Sequence, residues 1–191
     1  VFFLFTSTSH IYKKTHKKIS ETWKEQPSSN YGKFKLLAEK KIKNFSKNND
    51  NFNYCIARIF SFTNYNQNES FLIPALYKKI YKNNIKFINN LDSHRDFIHI
   101  EDLCDALNLL ISKRAKGIFN IGSGKKTRVL EIAKLIAKIS NKKNIKYDTY
   151  KNNDNKDCYL ANISKIKRLG WRPKKNIYKI LNEFIKKKNE I

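Results

Sequence analysis

Residues 1–12 have the sequence VFFLFTSTSHIY, an apolar run that stops at a cluster of hydroxyl side chains. A continuous apolar run of this length is typical of a strand that is buried in a parallel sheet. The change of composition at Thr6 marks the carboxyl end of the strand and the start of a polar loop. Because such a strand needs neighbours on both edges, we expect residues 1–5 to lie inside a parallel sheet.

The remainder of the chain alternates between strand-like and helix-like segments. Strands are expected at residues 53–62, 85–88, 96–100, 117–121 and 145–150. Helices are expected at residues 31–42, 69–83, 101–112, 129–139, 164–169 and 177–184, where apolar residues recur at helical spacing. Strands that alternate with helices predict the α/β class.

The formal net charge is +24 at pH 7, and 40 of the 191 residues are lysine or arginine. A basic nucleic-acid-binding protein is one explanation. Only six of these residues are arginine, the side chain that makes bidentate contacts with guanine and phosphate. The lysines are spread along the chain among many asparagines and isoleucines. This pattern favours an AT-rich coding bias, which would place the lysines on the solvent-exposed surface. We therefore expect no nucleic-acid partner, although the charge can help a polyanionic ligand to approach.

The three cysteines, Cys55, Cys104 and Cys158, are odd in number and far apart in the sequence. Their spacing fits neither a disulfide framework nor a zinc site, and no metal site is expected. A reducing cytosol is the simplest setting, so the protein is predicted to be cytoplasmic. No run approaches the ~20 apolar residues of a membrane-spanning helix, and no membrane partner is expected.

Tyr31 and Lys35 are four positions apart in a predicted helix, which places both side chains on one face. A phenol with a pKa of about 10 is a poor base at neutral pH. A neighbouring cation stabilises the phenolate, and such a pair can move a proton to or from an alcohol or ketone while a cofactor moves the hydride. Because lysine is abundant in this chain, the spacing can also arise by chance.

The segments around this pair resemble, in the same order, those of the extended short-chain dehydrogenases, which include the NAD-dependent nucleotide-sugar epimerases and dehydratases. The matching segments are Thr6-Ser-Thr-Ser-His-Ile-Tyr12, Ile56-Ala-Arg58-Ile-Phe60, Arg95-Asp-Phe-Ile-His99-Ile-Glu-Asp102, Phe119-Asn-Ile-Gly-Ser-Gly124 with Val129-Leu-Glu-Ile-Ala133, and Asn162-Ile-Ser-Lys165 with Leu169-Gly-Trp-Arg-Pro173. The third segment is the most specific match. The resemblance covers nearly the whole chain and implies the C-terminal part of a Rossmann-type parallel sheet with a small mixed α/β substrate-binding lobe.

The resemblance also implies catalytic roles. Tyr31 would be the acid/base and Lys35 the residue that tunes it, and both would reach the nicotinamide ribose of NAD or NADP. Alignment on the Ile11-Tyr12 pair places Thr8 at the position of the hydroxyl that holds the substrate oxygen. A simple cap at the end of the strand is the alternative role for Thr8.

The implied substrate-binding residues are Arg95, Ser61 and either Lys151 or Asn152. Arg95 would bind the diphosphate of a nucleotide sugar, because a guanidinium forms two hydrogen bonds to phosphate. An ion pair with an aspartate of its own segment is the alternative. Ser61 stands where the family has an asparagine, and Lys151 or Asn152 stands where it has a second phosphate-binding arginine.

The chain also departs from the family. The family's 4,6-dehydratases carry an acidic pair where this chain has Ser9 and His10, so dehydration is not expected. The family begins with a strand, a GxxGxxG turn and a helix that hold the cofactor pyrophosphate. Gly122-Ser-Gly124 lacks the third glycine and the P-loop spacing, and we expect it to serve a turn. The first four strands of the Rossmann sheet would therefore be missing.

Together these features predict that residues 1–64 form the C-terminal part of the NAD-binding domain with the catalytic helix. Residues 65–191 would form mainly the nucleotide-sugar lobe, with some segments returning to the first sheet. The expected activity is an NAD(P)-dependent epimerase or 4-keto reductase acting on a nucleotide-diphosphate sugar at C4, in a homodimer. A catalytically inactive remnant, or one half of a split enzyme, is the alternative.

The isolated chain is predicted not to bind NAD tightly, because the backbone N–H groups and the acidic residue that hold the dinucleotide belong to the missing half. Calorimetry of the purified chain with NAD should detect no micromolar binding. A soluble monomer that binds NAD at micromolar concentration would contradict this prediction.

Overall fold

The computed structural model describes residues 1–82, 87–88, 91–147 and 158–190. Lys151 and Asn152 lie outside these ranges, so their predicted role in substrate binding stays a prediction. Parts of the strands expected at residues 85–88 and 145–150 also lie outside the described ranges.

Strands and helices alternate along the chain, as the α/β prediction requires. The strands are β1 (Phe2–Thr8), β2 (Asn53–Ile59), β3 (Ser61–Thr63), β4 (Phe87–Ile88), β5 (His94–Arg95), β6 (Phe97–His99), β7 (Gly117–Ile121), β8 (Thr127–Arg128) and β9 (Lys146–Tyr147). The helices are α1 (Asn30–Lys47), α2 (Leu72–Tyr77), α3 (Ile100–Ser112), α4 (Val129–Ile139), α5 (Ser164–Arg168) and α6 (Ile177–Asn189). A short 3₁₀ helix at Ser9–Ile11 follows β1, and a π-helical turn at Lys78–Lys82 continues α2.

The main sheet is parallel and has the order β1-β2-β7. Leu4 lies beside Cys55, and Ile56 lies beside Ile118 in the next strand. Within the part of the chain that is described, β1 has a neighbour on one side only, and Phe3 is 40% exposed. The other edge of β1 is open in this part of the chain, and it offers backbone groups to a further strand.

The smaller sheets lie beside a second apolar core. β3 pairs with β6 and β4 with β9 in parallel, whereas β5 pairs with β8 in antiparallel orientation. This second core is formed largely by α2, α4 and α6, with Ile73, Ile132 and Phe184 among its buried side chains. The first core surrounds the main sheet and includes Leu36 of α1 and Leu110 of α3. The boundary predicted near residue 64 remains a prediction.

Asp96 joins three distant segments. It is fully buried, and its carboxylate accepts hydrogen bonds from the backbone N–H and hydroxyl of Ser123 at 2.6 Å each and from the N–H groups of Gly124 and Ala161 at 3.0 Å each. A Cβ on Gly122 would lie 2.8 Å from the Ala161 Cβ and 2.9 Å from Asp96 Oδ2. Gly124 has a φ of +68°, which favours glycine. The Gly-Ser-Gly segment thus forms a turn against Asp96, as predicted.

The catalytic helix of the prediction, α1, is fixed to the sheet by a buried ion pair. Arg58 of β2 and Glu39 of α1 are both fully buried, and Arg58 Nε donates to Glu39 Oε1 at 3.0 Å. The Arg58 guanidinium also donates to Glu25 and to the Glu21 carbonyl, and it lies 4.7 Å from the centre of the Tyr12 ring. Burial by itself would lower the pKa of Arg58, but the hydrogen bonds to Glu39 raise it above its ordinary value.

Glu39→Gln is predicted to lower the free energy of unfolding by about 3–5 kcal/mol, because it leaves the buried charge of Arg58 without its main counter-charge. Urea denaturation followed by circular dichroism measures this change. Glu25→Gln is the matched control: its side chain is 31% exposed, and it should cost about 1 kcal/mol or less. Equal, small effects of both variants would show that the buried pair does not stabilise the fold.

Candidate functional site

A cleft of about 710 Å³ opens at the carboxyl ends of β1 and β2. Its walls come from the loop after β1, the first turns of α1, β3, the start of α2, and the segment around β5 and β6. Thr8, Tyr31, Lys35, Ser61 and Arg95 all line it. These are all of the predicted site residues that fall within the described ranges, so one cleft brings together residues up to 87 positions apart.

The first turns of α1 present Tyr31 and Lys35 to the cleft. The side chain of Ser29 caps the helix by accepting a hydrogen bond from the Gly32 N–H at 3.1 Å. A Cβ on Gly32 would lie 2.5 Å from the His10 carbonyl oxygen, so only glycine lets the helix pack this closely against the loop after β1. Lys35 Nζ donates to the Thr6 carbonyl at 2.8 Å and therefore stays at the end of the strand.

Lys35 Nζ lies 6.0 Å from the centre of the Tyr31 ring. An ammonium near a phenolate attracts it more strongly as the effective dielectric constant falls. Tyr31 is 55% exposed, so solvent weakens the attraction in the open cleft. A ligand that excludes water from the cleft would strengthen it.

Tyr12, which ends the segment after β1, lies in a different environment from Tyr31. It is fully buried, and its hydroxyl donates to Asn120 Oδ1 at 2.7 Å. Burial raises the pKa of Tyr12 to about 12, which keeps the phenol protonated. Of the two tyrosines, only Tyr31 combines access to the cleft with a neighbouring lysine.

Thr8 caps the turn after β1 and also lines the cleft. Its hydroxyl accepts a hydrogen bond from the His10 N–H at 3.3 Å and so caps the short 3₁₀ helix that follows β1. The same side chain, which is 6% exposed, lines the cleft. Because a hydroxyl can also donate a hydrogen bond, the cap does not exclude contact with a ligand oxygen.

Arg95 is the last residue of β5, and its Nη1 donates to the His94 carbonyl at 2.9 Å. Within the described residues, Arg95 forms no ion pair with Asp96 or Asp102, whose carboxylates bond other groups. The Asp96 carboxylate bonds the Gly-Ser-Gly turn, and the Asp102 carboxylate accepts from the N–H groups of Lys174 and Lys175. The guanidinium of Arg95 therefore has further donors at the wall of the cleft.

His10 is a cleft residue for which sequence reasoning gave no role. Its ring stacks on Tyr159 at 5.1 Å between centroids and meets Tyr31 edge-on at 6.1 Å. Burial lowers the pKa of His10 below its ordinary value, and the positive charges of Arg95 and Lys14 lower it further. Both effects favour the neutral imidazole over the imidazolium. Its position between Thr8 and Tyr12 in the sequence was the available signal.

His99, Glu101 and Glu183 offer ligand atoms within 4.8 Å of one another, an arrangement that can hold a metal ion. Here Lys175 Nζ bridges the two carboxylates, at 2.7 Å from Glu101 and 2.6 Å from Glu183. His99 Nδ1 accepts from the Glu101 N–H, which leaves the proton on Nε2, 3.2 Å from Glu183 Oε2. The group thus fits a structural network that joins α3 to α6.

Among the described helices, none is long and apolar enough to cross a membrane.

Comparison with known proteins gives a family match over much of the chain. The model of the NAD dependent epimerase/dehydratase family matches residues 2–122. A GDP-L-fucose synthase of Sinorhizobium fredii is 31% identical over 118 residues, which cover 58% of this chain and 37% of that protein. The Bacillus subtilis protein named uncharacterized UDP-glucose epimerase YtcB is 28% identical over 170 residues, which cover 87% of this chain and 54% of that protein. The chain thus spans about half the length of such relatives or less.

A similar fold is found in the crystal structure of a UDP-glucuronic acid 4-epimerase from Bacillus cereus, in complex with UDP-glucuronic acid and NAD. Its TM-score is 0.83 and its sequence identity 25%, over 97% of this chain and 62% of that one. The likeness supports the α/β fold with a Rossmann-type parallel sheet.

Arg95→Ala is predicted to raise the pKa of His10 towards its ordinary value, because it removes a positive charge that disfavours the imidazolium. NMR titration of the His10 ring protons measures the shift. Arg168→Ala is the control, since Arg168 is not among the charges that act on His10. An unchanged His10 titration in Arg95→Ala would contradict the placement of the two side chains at one cleft.

Proposed function

Because the chain belongs to the NAD-dependent epimerase/dehydratase family, we propose that it is the catalytic C-terminal part of an enzyme that acts on a nucleotide-linked sugar. The reaction is a proton and hydride transfer at a hydroxyl or keto carbon, at C4 of the sugar. The single observation that carries this proposal is the shared cleft of Thr8, Tyr31, Lys35, Ser61 and Arg95.

Tyr31 takes the proton of the sugar hydroxyl in the oxidative direction and returns it to the carbonyl oxygen in the reductive direction. Thr8 holds the same oxygen by a hydrogen bond. Lys35 stabilises the phenolate of Tyr31 by its charge, and its link to the Thr6 carbonyl keeps it in place. Bound NAD or NADP supplies the hydride acceptor or donor.

The cleft suits the nicotinamide end of that cofactor, since Tyr31 and Lys35 can bond the ribose hydroxyls. It does not extend to a pyrophosphate site at the Gly-Ser-Gly turn. The N–H groups of Ser123 and Gly124 are already bonded to the Asp96 carboxylate, which would also repel a phosphate. The remaining part of the cofactor site is therefore assigned to a part of the enzyme that this chain does not contain.

Arg95 binds the diphosphate of the nucleotide sugar. Among the described residues its guanidinium donates to the His94 carbonyl alone, and charge-assisted hydrogen bonds to phosphate contribute about 1.5–3 kcal/mol each. Ser61 lies beside Phe97 in the paired strands β3 and β6, two residues from Arg95, and is assigned to the same ligand. Lys151 and Asn152 remain candidates for the other phosphate contacts.

Both epimerisation and reduction of a 4-keto sugar use this set of residues. Product analysis separates them, because an epimerase returns its NAD unchanged. A homodimer remains part of the proposal. The outer face of α1 supports it, since Phe34, Leu37 and Phe45 are 71%, 51% and 54% exposed there, and exposed apolar faces of this kind are usually covered by a partner.

A second candidate is one half of a split enzyme, or a remnant without activity. Within the described residues one edge of β1 is unpaired, and its backbone groups can pair with a strand of another chain, which supports this candidate. Adding the N-terminal half of a relative separates a competent chain from an inactive remnant: recovery of turnover excludes the remnant, and continued inactivity supports it.

Tyr31→Phe is predicted to lower the turnover rate by about two to four decades in the enzyme completed with its N-terminal half, because the general acid/base is lost. The conversion of UDP-glucose, followed by product analysis, measures the rate. Tyr178→Phe, which alters a half-exposed tyrosine on α6, should retain full activity. Turnover near the wild-type rate in Tyr31→Phe would remove Tyr31 from the mechanism.

A further inference from the structure

Positive side chains surround the imidazole of His10, which lines the cleft together with Arg95. The charges of Arg95 and Lys14 both act on the ring. Lys14 Nζ lies 5.6 Å from the centre of the Tyr159 ring, on which His10 stacks. This part of the cleft therefore gathers positive charge around a group that can itself become a cation.

The other groups that face His10 do not balance this charge. Tyr31 of α1 meets the ring edge-on and Tyr159 stacks on it, and neither brings a fixed charge. Lys35, whose Nζ lies 6.0 Å from the centre of the Tyr31 ring, adds a further ammonium to the same wall. Among the residues that the structure describes, no carboxylate offsets the two cations at His10, so an anionic ligand is the group that would do so.

An anion bound at Arg95 reverses the electrostatic balance at His10. The charge of Arg95 is close enough to disfavour the imidazolium, so a diphosphate bound to Arg95 is close enough to favour it. The diphosphate of a nucleotide sugar is a dianion, which outweighs the single charge of Arg95. His10 also remains exposed, so a proton can reach the ring from solvent.

We propose that His10 takes up a proton when a nucleotide sugar binds, and that the resulting imidazolium helps to hold the diphosphate at Arg95. This inference rests on the proposed function, because it takes the cleft as the nucleotide-sugar site. A ligand that favours the imidazolium binds more tightly where the imidazolium is already present, since the coupling of two binding events is reciprocal. His10 is therefore a ligand-binding residue whose contribution depends on pH.

Affinity for the ligand is expected to rise as the pH falls. In the free chain the pKa of His10 lies below its ordinary value of about 6.5, and in the complex it should lie higher. Affinity rises through the interval between the bound and the free pKa and levels off below the free one. Above both pKa values the ring is neutral in either state and contributes no pH dependence.

NMR titration of the His10 ring protons tests this in the wild-type chain, first free and then saturated with UDP-glucose or GDP-mannose, whichever binds. Both ligands are suitable because their diphosphates are esterified at each end and lack the ionisation near pH ~6 of a terminal phosphate. The pKa of His10 should be higher in the complex by about half a unit or more. That shift corresponds to a gain in affinity of about threefold between about pH 7.5 and about pH 5.5.

Calorimetry with the same ligand compares His10→Gln, which cannot become a cation, with His16→Gln, which alters an exposed histidine outside the cleft lining. The wild type and His16→Gln should take up protons on binding, seen as a dependence of the binding heat on the ionisation enthalpy of the buffer. In His10→Gln the uptake should be lost, and affinity should change by less than about twofold over the same pH range.

A pKa of His10 that is unchanged or lower in the complex overturns the inference and leaves the proposed function standing. Proton uptake that persists in His10→Gln belongs to another group and overturns it as well. Weaker binding in His10→Gln, without any pH dependence in the wild type, shows a structural role and has the same consequence. If neither ligand binds the wild-type chain, the nucleotide-sugar site and the inference fall together.

Discussion

The buried ion pair between Arg58 and Glu39 is the interaction on which the rest of the site depends. Arg58 belongs to the middle strand of the main sheet and Glu39 to the buried face of α1, so the pair fixes the rotation and height of that helix. One turn earlier on the helix, Lys35 is thereby held beside Thr6 at the end of β1. Pairs of this kind often add little net stability over apolar packing, and here we assign its importance to the placement of α1.

Asp96 fixes the segment that carries Arg95, as the Arg58–Glu39 pair fixes α1. Its carboxylate connects β6 to the Gly-Ser-Gly turn after β7 and to Ala161 in the closing segment. Because β7 belongs to the main sheet, this connection sets the position of Arg95, the residue before Asp96, relative to β1 and β2. The two buried carboxylates together bring the proposed catalytic and diphosphate-binding residues to one cavity.

Much of the fold and part of the site could be predicted from local sequence. The apolar run before Thr6, the spacing of Tyr31 and Lys35, and the segment that begins at Arg95 each carry their signal within a few residues. The place of His10 could not be predicted in this way. The pKa of His10 depends in part on the charge of Arg95, which is distant in sequence, and the two side chains line one cleft only once the surrounding segments are packed.

Binding of a nucleotide sugar in the cleft between α1 and β6 is tested most directly by NMR titration of the isotope-labelled chain with UDP-glucose and, separately, GDP-mannose. We expect one of them to shift the backbone signals of Thr8, Tyr31, Ser61 and Arg95 in a saturable manner, while signals along α5 stay unchanged. Saturable shifts confined to other surfaces, or no shifts with either ligand, would contradict it.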